Sequence, residues 1–115
     1  MEVRDWQAWV QAFDEARGWE RVAPEHVALH VIEELGEVAR ELLRERGYKE
    51  GESRLGEELA DLLLLLFKLA NARGVDLEAA LAAKAQELEA RFPVEEGRRA
   101  MVRYLEASGA TVDES

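Results

Sequence analysis

Cysteine is absent from the 115-residue sequence. That excludes disulfides, thiolate zinc sites and a catalytic thiol together, and leaves oxygen and nitrogen as the ligand atoms for any metal, with hard divalent cations the default. Proline is nearly as scarce, at 2, and with hydrophobic residues at 48% and charged residues at 35% the composition is neither disordered nor low-complexity. No apolar run approaches membrane-spanning length, and Met1-Glu2-Val3-Arg4-Asp5 offers no basic segment and apolar stretch of signal-peptide type. The expectation is a cytoplasmic protein without a membrane partner. Positive charge is also short: 15 Lys and Arg stand against 25 Asp and Glu, for a formal charge of -10. Such a field repels a polyphosphate backbone, so no nucleic-acid polymer is expected as partner. A small anionic substrate is a different case, because a bound cation can cancel the local field.

What is present reads as helix. The length suits a single domain, 1–115, with a polar tail over 108–115. Apolar residues recur at helical spacing almost throughout, and no period-two stretch bounded by turns interrupts them, so the fold expected is all-α. A first helix runs from Val3 to Arg17 with Trp6, Trp9, Val10 and Phe13 on one side, and Gly18 is placed to end it before a loop at Trp19. Pro24 suits the first turn of a second helix, reaching about Arg46, and Glu25 complements its dipole. After the glycine-bracketed break Gly47–Gly51 a third helix covers about Ser53 to Arg73. Gly74 and Asp76 stop and restart the chain for a fourth helix, Leu77 to Arg91, and Pro93 separates it from a fifth, Val94 to Ala107. Short breaks between four to five helices predict an antiparallel bundle.

The third helix adds a demand on assembly. Leu59-Ala60-Asp61-Leu62-Leu63-Leu64-Leu65-Leu66-Phe67 is apolar around almost its whole circumference, so it wants cover on all sides. In a bundle this small the second layer is expected from another copy, giving a homodimer or homotetramer.

Two acidic motifs share one layout. The second helix contains Glu33-Glu34-Leu35-Gly36-Glu37 and the third Glu57-Glu58-Leu59-Ala60-Asp61. Residues three apart on a helix share a face, so Glu34 with Glu37 and Glu58 with Asp61 each form a pair of oxygen donors. Packed antiparallel, the helices bring the pairs together as one magnesium site, which manganese can also fill. Glu58 and Asp61 share their face with Leu62 and Leu65, where unpaired carboxylates are costly and a cation removes the cost. A di-iron carboxylate bundle needs Glu-x-x-His on two helices, and neither acidic pair has a His three residues on. His26 and His30, four apart, read as surface residues and stay outside the metal shell.

Glu33-Glu34-x-x-Glu37, followed after a glycine-containing loop by Glu58-x-x-Asp61 in an apolar helix, resembles the MazG-like nucleotide pyrophosphohydrolases over about Pro24 to Pro93, the core motifs at 24–93. Gly74-Val75-Asp76-Leu77 with Ala80-Leu81, Lys84 and Arg91-Phe92-Pro93 is similar to the later helix of that family. The resemblance implies an oligomeric all-α bundle that uses magnesium to split nucleoside triphosphates, including deoxynucleotides, into monophosphate and pyrophosphate, with a possible housecleaning role in the nucleotide pool. It implies Glu34, Glu37, Glu58 and Asp61 as metal ligands, Lys84 and Arg91 as phosphate contacts, and Glu33 as the residue orienting the attacking water.

The sequence departs from the family in two places. Leu88, Glu89 and Ala90 stand where many relatives carry an asparagine and further basic residues, and Leu65 stands where an aromatic residue often follows the acidic pair. Candidates for stacking on the nucleoside are Trp6, Trp9 and Trp19, with His30 one turn before Glu34. Two other functions fit the same features: a phosphoribosyl-ATP pyrophosphatase of related architecture, separable by its products, and a non-enzymatic helical dimerisation module whose acids only solvate its surface.

Overall fold

The computed structural model describes residues 1–109, which form five helices and no strand: α1 (Val3–Arg17), α2 (Pro24–Glu45), α3 (Leu55–Ala72), α4 (Leu77–Arg91) and α5 (Val94–Ala107). The all-helical expectation is met, and α1, α4 and α5 have the expected bounds. Of the expected polar tail only Ser108 and Gly109 fall within the described residues. Trp19 opens a single 3-10 turn, Trp19–Arg21, instead of an irregular loop. The third helix begins at Leu55 and not at Ser53 because Ser53 stays outside it, where its Oγ accepts the Leu55 N–H at 3.3 Å. None of the helices among the described residues is long and apolar enough to cross a membrane.

The described residues gather into two compact units, Met1–Glu78 and the segment from Ala79 onward. In the first, local chemistry fixes the helix ends. Asp5 Oδ2 accepts the Glu2 N–H at 2.8 Å at the start of α1, and Gly18, at φ 71°, ends it in a conformation that costs a residue with a Cβ more. Pro24 sits in the first turn of α2, where its missing N–H costs nothing.

α3 packs against both α2 and α1. It runs antiparallel to α2, as Glu34 lies level with Glu58 and Asp61, and Glu41 with Arg54. Val10 of α1, Val27 and Val38 of α2, and Phe67 and Ala70 of α3 are the buried apolar residues. Polar ties fix how α1 crosses α3. Lys68 Nζ donates to Asp14 Oδ2 at 3.1 Å and to the Trp19 carbonyl at 3.2 Å, with both charged side chains largely covered. Gln7 accepts the Leu77 N–H at 3.1 Å, donates to the Val75 carbonyl at 2.6 Å, and offers its own carbonyl to Asn71 at 3.1 Å. The Gln7 side chain thus secures the Gly74 turn, and its backbone carbonyl the end of α3.

Cover over the outer faces is incomplete. Leu29 and Ile32 on α2 are 63% and 65% exposed, and Leu63 on α3 is 51% exposed. The second unit holds the rest of α4 and α5. There Lys84 reaches both carboxylate oxygens of Glu87 at 3.2 Å, and Glu95 and Glu96 follow Pro93 in the first turn of α5, next to the positive end of its dipole.

Candidate metal centre

On α2 and α3 the three-residue spacing turns each acidic pair toward the seam between the helices. Glu34, Glu58 and Asp61 meet there, each offering one oxygen, and these oxygens all lie within 4.8 Å of one another. Glu34 and Glu58 are half-buried and Asp61 is exposed, so the cluster opens to solvent on one side.

The electrostatics centre on Glu34, whose carboxyl is held above the usual carboxylate range. Burial is the largest cause. A contact with the Glu58 carboxyl comes next, a hydrogen bond only when one of the two is protonated, followed by the negative charges of Glu58, Asp61 and Glu37. Glu34 Oε2 is buried and has no hydrogen-bond partner among the described residues. An acceptor stripped of water with only like charges for neighbours is costly. All the oxygens here are carboxylate, the donor set of hard divalent cations, and a cation would satisfy the orphaned atom and cancel the repulsion together.

The other residues singled out by sequence fall in different places. Glu37 adds to the negative field on Glu34, but its Oε2 lies 3.5 Å from Arg40 Nη1 and it is outside the tight group of three. Glu33 is exposed and faces His30, with Oε1 3.6 Å from Nδ1. Lys84 and Arg91 lie on α4 in the second unit, Lys84 on Glu87 and Arg91 with its guanidinium 5.2 Å from the Phe92 ring centre.

A cavity of about 450 Å³ adjoins the carboxylates. Glu34, Asp61 and His30 line it together with three aromatic residues, Trp9, Phe13 and Trp19. These rings support one another: Trp9 stacks on Phe13 at 5.0 Å between centres, and Trp19 meets Phe13 edge-on at 5.8 Å. Trp6 packs edge-on against Trp9 at 6.1 Å and is one turn too far along α1 to line the cavity.

Asp14 and Lys68, the covered ion pair, also line this cavity. The sequence reading passed over both, and over Glu41. The available signal was a charge set into an apolar face, Asp14 one turn after Val10 and Lys68 beside Phe67. Glu41 is 2% exposed, ion-paired to Arg44, and accepts the Arg54 N–H at 2.8 Å, which ties the end of α2 to the start of α3.

A family model for the MazG nucleotide pyrophosphohydrolase domain matches residues 22–94, which takes in both acidic pairs and the helices that carry them. The chain is 33% identical over 103 residues to an uncharacterized protein, YvdC, of Bacillus subtilis (strain 168), an alignment spanning 80% of this chain and 97% of the relative. No solved structure matches significantly. With its all-helical fold and the matched segment enclosing the carboxylate cluster, the chain belongs to the MazG nucleotide pyrophosphohydrolase family.

Proposed function

We propose that this protein is a magnesium-dependent nucleoside triphosphate pyrophosphohydrolase, acting on ribo- or deoxynucleotides to give the monophosphate and pyrophosphate. The observation that carries the reading is the orphaned, buried Glu34 Oε2 within a group of three carboxylates, two of which line an aromatic cavity. Glu34, Glu58 and Asp61 would hold the cation, and Glu37, one turn along α2, is the fourth donor in reach. When bound, magnesium supplies charge neutralisation at the phosphate oxygens and a more acidic water.

The chain's own groups do the rest. Trp9 and Trp19 offer flat faces on which a base stacks, beside a Phe13 ring already engaged by Trp9 and the Arg17 guanidinium, and a nucleoside seated there sets its phosphates toward Glu34 and Asp61. Glu33 is assigned to the attacking water on the motif alone, since its carboxylate faces His30.

The test is turnover of a panel of common and modified nucleoside triphosphates with magnesium or manganese, read as pyrophosphate release. The expected result is release with at least one of them that stops on chelation. A folded protein that turns over none would remove the proposal.

The open faces of α2 and α3 extend the reading to assembly. We infer that a second copy covers Leu29, Ile32 and Leu63, because exposed apolar area on this scale is stabilised by burial at about 25 cal/mol per Å². Light scattering on the eluted protein should give the mass of a dimer or tetramer. The Leu29→Glu, Ile32→Glu double variant should elute as a helical monomer. A wild-type chain that is monomeric at micromolar concentration contradicts this assembly.

A further inference from the structure

The seam between α2 and α3 carries a second cavity, about 480 Å³, beyond the carboxylates from the aromatic one. The aromatic cavity takes in Glu34 and Asp61; the second takes in Glu37 and Glu58. Three arginines, Arg40, Arg44 and Arg54, line it as well, together with Glu41, Glu50 and Glu52. In a chain with 15 basic against 25 acidic residues, three guanidinium groups bordering a carboxylate cluster are not the overflow of a basic surface.

The three differ in how they are held. Arg44 is fixed, ion-paired to buried Glu41 and donating from Nε to the Glu50 carbonyl at 3.1 Å. Arg40 meets only Glu37, at 3.5 Å, with half of its side chain exposed. The Arg54 guanidinium has no hydrogen bond or ion pair among the described residues; only its backbone is engaged, the N–H donating to Glu41 and the carbonyl accepting from the Glu58 N–H. Glu41 is answered by Arg44 and Glu37 by Arg40, and Glu58 belongs to the carboxylate cluster, so the Arg54 guanidinium is the group left to take an anion, with the half-exposed Arg40 beside it. A guanidinium presents a planar fork of donors that fits a phosphate through two parallel bonds.

We propose that this cavity seats the leaving pyrophosphate, with Arg54 and Arg40 on the oxygens of the β and γ phosphates and the bound cation offsetting the glutamates that share the lining. The inference rests on the pyrophosphohydrolase reading above. Along the seam the order is aromatic wall, carboxylates, arginines, the same as base, α phosphate, terminal phosphates in a nucleotide. In the step served, a water oxygen bonds to the α phosphorus and the bond from that phosphorus to the α–β bridging oxygen breaks. The electron pair leaves on that oxygen as pyrophosphate, and the water's proton passes to a carboxylate or to solvent. Negative charge grows on the departing oxygens, where fixed donors stabilise it.

The experiment is calorimetric titration of the full chain with inorganic pyrophosphate in magnesium buffer, for wild type, Arg54→Gln, Arg54→Lys and the Arg40→Gln, Arg54→Gln double variant. Pyrophosphate affinity should fall about tenfold for each arginine removed, and Arg54→Lys should keep part of it. Nucleoside monophosphate affinity should stay within about twofold, since that ligand does not reach the arginines; a scaffold defect would weaken both. Unchanged pyrophosphate affinity in the double variant, or none in the folded wild type, would falsify the inference. Arginine-dependent pyrophosphate binding without turnover of any triphosphate leaves this site standing and removes the hydrolase reading. Turnover with arginine-independent pyrophosphate binding does the reverse.

Discussion

Replacing Glu58 by Gln and Asp61 by Asn is expected to lower metal-dependent turnover by about a thousandfold or more while making the metal-free protein harder to melt. Both effects have one cause. Three carboxylate oxygens within 4.8 Å repel one another until a cation joins them, and neutral amides of the same shape remove the repulsion and the cation's seat together. The pH dependence has a definite sign. Because the folded-state pKa of Glu34 is raised, its contribution to stability is fully present at pH values below the ordinary carboxylate range and is lost as pH rises through the raised value. Melting temperature without metal should therefore fall as pH climbs from about 4 toward neutrality, and fall less in the double variant. Magnesium should raise the wild-type melting temperature near neutral pH and leave the variant unmoved. A variant that keeps its turnover, or melts in step with wild type at every pH with and without magnesium, would show that these acids hold no cation.

Glu41→Ala is expected to be the most damaging single change to stability, at about 3 kcal/mol, or roughly 10 to 20 °C in melting temperature. It deletes the partner of the largely covered Arg44 and the acceptor of the Arg54 N–H in one step. Replacing Glu41 and Arg44 together by Leu and Met should recover much of the loss, since the penalty comes from stranding one charge and not from lacking both. Thermal melts of the single and double variants decide it. A Glu41→Ala protein melting within about 2 °C of wild type would mean that the covered ion pair contributes little.

The helices were legible because each stop is written into a local residue: Gly18, Pro24, Gly74 and Pro93 act through their own backbone restrictions and need no tertiary partner. The acidic pairs were legible for a similar reason, since three-residue spacing sets a shared face within any helix. Spacing was silent on choice of partner. Glu34 and Glu37 are equivalent by periodicity, yet Glu34 joins Glu58 and Asp61 while Glu37 lies beside Arg40. Trp6 and Phe13 are both aromatic and both in register with Trp9, and only the crossing of α1 over α3 decides that Phe13 lines the cavity. Asp14 and Lys68 read as solvated charges because they lie 54 residues apart, and Glu41 reads as an ordinary surface pair with Arg44 because its second partner, the Arg54 N–H, lies 13 residues away, and a single helix pattern carries no term for either.

Glu41 at the start of α3 and Gln7 beyond its end hold that helix at both extremities, independently of anything bound between them. Ion uptake by the seam therefore recruits no new helix and covers little fresh apolar surface. Its calorimetric signature should be a heat-capacity change close to zero. The pace of loading is then governed by how fast the ion sheds its hydration waters, not by any reshaping of the chain.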